Sequence, residues 1–178
     1  MKTSVKAAVG GVSAALSVVL MFFGGIIYIF TYAVPMVLGV LMSVLKKTFT
    51  DSCALCVYAA VSVLSFIFVP EKEIVLMYVL FFGWYPLVRE KIGRIRPKFI
   101  SFTVKLLLFN VCVLVIELIA YYAFGIPFFE DGVFSVGMLV LFTVLMNITF
   151  ILYEFMLSKF LILYERRLEK RVLKIFIR

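Results

Sequence analysis

An all-α bundle that crosses a membrane six times is the fold class this sequence predicts, and three observations predict it. Hydrophobic residues make up 65% of the chain and charged residues 16%, where soluble domains run at roughly 45–50% and about 25%. The apolar residues fall into runs long enough to span a bilayer, joined by short polar connections. The cations gather beyond every second run. So much oily surface must face a solvent other than water, and lipid is the one that suits it. Six helices of about 20 residues use nearly all of the 178-residue chain and leave no room for a separate soluble domain. The bundle is expected over residues 1-160, with a basic amphipathic helix at the interface over residues 161-178.

Each span follows from the chain in order. Lys2 and Lys6 ahead of an apolar stretch fit the start of a signal peptide, but that stretch continues to Leu45 and further spans follow, so an uncleaved first span is expected. Ala7 to Leu45 is long enough for two spans, and Gly24-Gly25 is the natural break, because paired glycines favour a turn. That gives a first span from Ala7 to Phe23 and a second from Ile26 to Leu45, with Pro35 in its middle expected to kink it and free a carbonyl. Lys46-Lys47 closes the second span. The third runs from Asp51 to Val69 and ends at Pro70. The fourth, Ile74 to Val88, is short for the hydrocarbon core. The basic segment Arg89 to Lys98 follows, then the fifth span, Ser101 to Phe124, and a connection carrying Pro127, Glu130 and Asp131. The sixth starts near Val133 and leaves the membrane around Lys159.

Charge sets the expected orientation. The N-terminus, the second and fourth connections and the C-terminus, with the span ends beside them, carry every Lys and Arg except Lys72. Glu71, Glu73, Glu130 and Asp131 occupy the alternate connections. Six spans with both termini in the cytoplasm, at the cell membrane, satisfy the positive-inside rule, and one span more or fewer would destroy the alternation.

Several chemistries are excluded. The net charge of +8 is not laid out as an aromatic-interleaved stripe, so no nucleic-acid partner is expected. With no histidine the commonest general base and metal ligand is missing. Cys53 and Cys56 spell a redox or metal motif, but with Cys112 as the one further cysteine a metal site lacks ligands, and core packing is the expected role. No phosphate loop, hydrolase elbow or carboxylate dyad is spelled. The chain reads as a non-enzyme without a cofactor, and any use of ATP would need another subunit.

Polar groups inside a membrane are costly, so each is a functional candidate by default. Asn110, Glu117 and Phe124 recur every seven residues on the fifth span, with Tyr121 one turn from Glu117. Thr143, Asn147 and Glu154 share a face of the sixth. Tyr78 and Tyr85 align on the fourth, Tyr58, Ser62 and Ser65 on the third, and Tyr28 and Tyr32 on the outer part of the second. One reading is a polar pocket open to the outside that binds a small molecule through Glu117, Tyr121, Asn110, Asn147, Thr143, Tyr78 and Tyr32. The other is that these groups bond one another and hold the helices together. For Glu154 the second reading is expected, through an ion pair with Lys105 across antiparallel neighbours. On the first span Ala7, Gly11 and Ala15, with Gly10 and Ala14 beside them, make a ridge of small residues that permits close helix contact, inside the bundle or with a second membrane protein.

The six-span architecture and the stretch Ala7-Ala8-Val9-Gly10-Gly11-Val12-Ser13-Ala14-Ala15-Leu16-Ser17 resemble the substrate-binding S components of energy-coupling-factor (ECF) transporters. In that family an Ala-x-x-x-Ala face of helix one contacts the transmembrane coupling subunit. By position the resemblance implies Ala7, Gly11 and Ala15 as that face, with glycine preserving the small size. It further implies capture of a vitamin-like molecule in the outer half, and a coupling subunit and two ATPases as partners. A non-transporting scaffold of similar size, such as the rod-shape-determining MreD family, is the alternative, with its basic connections binding a partner or anionic lipids.

Overall fold

A computed structural model of the protein describes residues 3–27, 30–125 and 136–168. Tyr28, Glu130, Asp131, the expected start of the sixth span near Val133 and the basic residues after Leu168 lie outside these. The described residues are helical, without strands: α1 Thr3–Ile26, α2 Phe30–Thr48, α3 Asp51–Phe68, α4 Lys72–Met77, α5 Tyr85–Gly93, α6 Lys98–Phe124 and α7 Val136–Leu163. Wide π-helical turns follow α4 at Tyr78–Phe82 and α7 at Tyr164–Leu168. Five of the helices (α1, α2, α3, α6 and α7) are long and apolar enough to cross a membrane. Large apolar side chains such as Val12, Phe23, Val63, Phe99, Leu114 and Phe155 project outward from them. This is consistent with a multi-pass membrane protein.

Among the described residues the helices make six passes, the fourth being α4, the wide turn and α5 together. The ends are identified by their contacts. At one, Lys47 bridges Glu90 and Glu165, joining α2, α5 and the turn after α7. At the other, a Cβ on Gly25 would meet Cβ of Glu71 at 2.7 Å, and Tyr32 bonds Glu73. We refer to these as the basic and the acidic end.

The fourth pass is the centre of the bundle. Ile74, Val75, Leu76, Met77 and Tyr78 are consecutive and all buried, so this segment has no lipid-facing side. A helix apolar all round is one surrounded by others. Its break follows from Pro86 near the start of α5, which has no N–H to give the carbonyl of Phe82. The ladder widens, with Gly83 N–H donating to the Tyr78 carbonyl at 2.7 Å. Side chains take up the carbonyls beside it: the Tyr58 hydroxyl donates to Val79 O at 2.8 Å and Trp84 Nε1 to Leu80 O at 2.7 Å. Gly83 is required there because a Cβ would lie 2.6 Å from the Tyr58 ring.

Two element boundaries differ from the expectation. The paired glycines do not break the chain, since α1 runs through Gly24 and Gly25 to Ile26. They serve close packing instead: a Cβ on Gly24 would lie 2.7 Å from Val34 Cγ2. Pro35 lies inside the second helical pass, as expected, and is buried there. At the far end, α7 passes Lys159 without a break to Leu163. The third and fifth passes fall close to their expected bounds, α3 being capped by the Thr50 hydroxyl accepting from Cys53 N–H and α6 closed by Gly125 in the left-handed region at φ 64°.

Candidate functional site

Near the basic end a buried carboxylate holds three elements together. Glu154 on α7 accepts from Lys105 Nζ on α6 at 2.5 Å through one oxygen, and from Arg89 Nε and the Tyr85 hydroxyl, each at 2.8 Å, through the other. Arg89 also donates through Nη2 to Ser158 Oγ at 2.5 Å, and Ser158 donates back to the Glu154 carbonyl at 2.7 Å. The side chains of Glu154, Arg89 and Lys105 are 11%, 14% and 12% exposed. The expected Glu154–Lys105 pair therefore forms, but as part of a larger cluster in which two cations share one carboxylate. Arg89 and Tyr85 were not expected in it; the signal was their spacing of four, which puts them on one face of the fourth pass.

A second, more exposed network closes the same end on the α2 side. Lys46 lies 3.3 Å and Lys47 3.2 Å from the carboxylate of Glu90, Lys47 is also 2.6 Å from Glu165, and Lys46 donates to Leu87 O at 2.9 Å. Burial raises the Glu90 carboxyl, and the hydrogen bonds from Lys47 and Lys46 outweigh it, holding Glu90 below the ordinary carboxylate range.

Halfway along, Asn110 on α6 and Asn147 on α7 form a reciprocal pair at 2.8 and 3.0 Å. Their remaining amide hydrogens go to Leu106 O and Thr143 O at 2.8 and 2.7 Å. Both carboxamides thus spend their donors on the bundle, and next to them in sequence the rings of Phe109 and Phe150 stack across the same two helices. Thr143 enters this arrangement through its backbone.

Toward the acidic end the remaining candidates divide. Tyr32 on α2 donates to Glu73 on α4 at 2.7 Å. Glu117 on α6 is half-buried, makes no hydrogen bond or ion pair among the described residues, and lies within electrostatic range of Glu73. Glu73, expected in a polar connection, sits instead in the first turn of α4, where the chain starts its buried pass. Tyr121, one turn beyond Glu117, is exposed, with its ring edge-on to Tyr122. Tyr78 lies elsewhere, fully buried against the Tyr58 ring, with no hydrogen-bond partner for its hydroxyl among the described residues. The buried hydroxyls of Thr31 and Tyr153 share that condition.

The small-residue helix α1 has two faces. Gly10, Ser13, Ala14, Ser17 and Met21 are buried, and Gly10 approaches Val57 of α3 closely enough that a Cβ would lie at 3.2 Å. Ala7, Gly11 and Ala15 are exposed, and a Cβ on Gly11 would meet nothing within 4 Å. Small residues therefore serve packing on one side of α1 and are left open on the other. The three cysteines are unpaired, and among the described residues there is no group of metal-ligating side chains.

No known protein family, curated protein or solved structure matches the chain.

Proposed function

We propose that this chain is a six-span membrane protein with both ends in the cytoplasm, and that it serves as the small-molecule-binding subunit of an importer of the ECF type. The observation that carries the reading is Glu117. It is a carboxylate on a long apolar helix, half-buried and without a bonding partner among the described residues, and the charge among them whose field reaches it is a second carboxylate, Glu73. Such an arrangement is costly unless a ligand or a proton compensates it. With Tyr32 holding Glu73 in place, the ligand would bring hydrogen-bond donors or positive charge to the acidic end, the outer side under the positive-inside rule. Native mass spectrometry of the purified protein is expected to find a retained small molecule, and Glu117→Gln to lower its occupancy at least about ten-fold. Equal occupancy in the variant, or a wild-type protein that carries nothing, would count against the reading.

The open side of α1 supports docking on a coupling subunit that recruits the ATPases. Gly11→Leu adds bulk where no neighbour stands, so the variant is expected to fold normally yet lose co-purification with the coupling subunit. Unchanged co-purification refutes the docking face.

One observation favours the scaffold reading. Asn110 and Asn147 are fully engaged with each other and the backbone, which is how residues behave when their task is to clamp helices. A wild-type protein without any retained molecule would turn the balance to that reading.

A further inference from the structure

The cations at the basic end are unevenly matched. On the α2 side, Glu90, Glu165 and Asp51 are all taken by Lys46 and Lys47. On the α5–α6–α7 side, Glu154 is the one carboxylate for both Arg89 and Lys105. No other ion pair is formed there among the described residues, although Lys91, Arg94, Lys98 and Lys159 also lie along this side. The shielded cluster therefore carries one uncompensated positive charge. It also has unspent donors. Arg89 offers five N–H groups and uses two; Lys105 offers three and uses one. Glu154 already accepts three hydrogen bonds, one through one oxygen and two through the other, and brings a single negative charge to the two cations.

The depth of the cluster says what kind of anion would meet it. Along α6, Lys105 lies about 28 Å from Phe124, where Gly125 ends the helix. Along α7, Glu154 lies about 27 Å from Val136. A hydrocarbon core is about 30 Å thick. With its acidic boundary at the Phe124–Val136 level, the other boundary falls at Lys105, Arg89 and Glu154. Phosphodiesters of the lipid headgroups begin at that level. Beneath it the outward faces of α6 and α7 are oily, with Leu107, Val111, Ile151 and Leu152 exposed as a bed for acyl chains.

We infer that the corner formed by Arg89 of α5, Lys105 of α6 and Ser158 of α7 is a binding site for the phosphate of an anionic phospholipid, with Glu154 fixing the two cations one on each of its oxygens. Arg89 and Lys105 supply the charge and the free N–H donors, and the lipid supplies the missing negative charge. The site requires membrane embedding but not the small-molecule reading, since it lies at the opposite end of the bundle from Glu117.

The test is native mass spectrometry of the whole protein from detergent, with phosphatidylglycerol or phosphatidylcholine added. Phosphatidylglycerol is expected to stay bound in preference to phosphatidylcholine. Lys105→Gln should lower its bound fraction about five-fold. Lys105→Arg should preserve binding, and Lys159→Gln, on an exposed side chain five residues beyond Glu154, should leave it unchanged. Lys105→Gln leaves a neutral Arg89–Glu154 pair, so it is expected to fold. Equal retention of the two lipids by the unaltered protein overturns the inference, as does a Lys105→Gln variant that holds phosphatidylglycerol as before. Displacement of the lipid by millimolar inorganic phosphate would overturn the lipid in favour of a soluble anion.

Discussion

Glu154→Leu is expected to be the most damaging single substitution in this protein, lowering stability by about 3–5 kcal/mol and the midpoint of thermal unfolding in detergent by on the order of 10 °C. The reason is an asymmetry. Glu154 is the shared partner of Arg89, Lys105 and the Tyr85 hydroxyl, so its loss strands two cations and a buried hydroxyl at once. Breaking a buried ion pair from one side costs far more than the intact pair contributes, because the orphaned charge has already lost its water. Lys105→Gln acts from the other side of the same contact. It removes the surplus cation and leaves one carboxylate facing one guanidinium, so a change below about 1 kcal/mol is expected. Thermal unfolding of the two variants, followed by the monodisperse fraction on size-exclusion chromatography, separates the cases. If the two substitutions cost the same, Glu154 is a local pair and not the junction of α5, α6 and α7.

Lys105 and Glu154 stand on long, strongly apolar runs, at matching distances from the run ends, so a pair between antiparallel neighbours follows from counting residues. Arg89 and Tyr85 escape the same argument because they stand on the fourth pass, whose helix is interrupted. By its length, Ile74 to Val88 reads as a short span. It is instead the most buried one, and a helix surrounded by helices has no lipid-facing stripe by which to recognise its orientation. Pro86 was the available signal for the break, since a proline removes the N–H that the Phe82 carbonyl needs. The glycine pair at 24 and 25 failed for a related reason. Paired glycines signal either a turn or a close approach, and only the positions of Val34 and Glu71 decide between them. The alternation of acidic and basic connections needs no such tertiary information, because it is counted along the chain.

The second large effect is expected at Gly39, where three passes meet. A Cβ at this position of α2 would press on the hydroxyl of Tyr153 from α7 and stand 3.0 Å from the carbonyl of Phe82 on the fourth pass. In an exposed helix, alanine for glycine would stabilise by about 1 kcal/mol. At Gly39 overpacking is expected to reverse the sign and cost about 1–3 kcal/mol, because Tyr153 is 4% exposed and cannot swing away. That hydroxyl has no hydrogen-bond partner among the described residues, although the Phe82 carbonyl, deprived of its helical donor by Pro86, stands nearby. Tyr153→Phe removes the atom that the new methyl group would strike and also a buried polar group left unpaired. Alone it is expected to be neutral or slightly stabilising; combined with Gly39→Ala it should recover most of the loss. The two changes are therefore non-additive, with a coupling of about 1 kcal/mol or more in thermal unfolding of the four proteins of the cycle. Additive losses would mean that Tyr153 already spends its hydroxyl, by a water-bridged bond to the Phe82 carbonyl that phenylalanine cannot make.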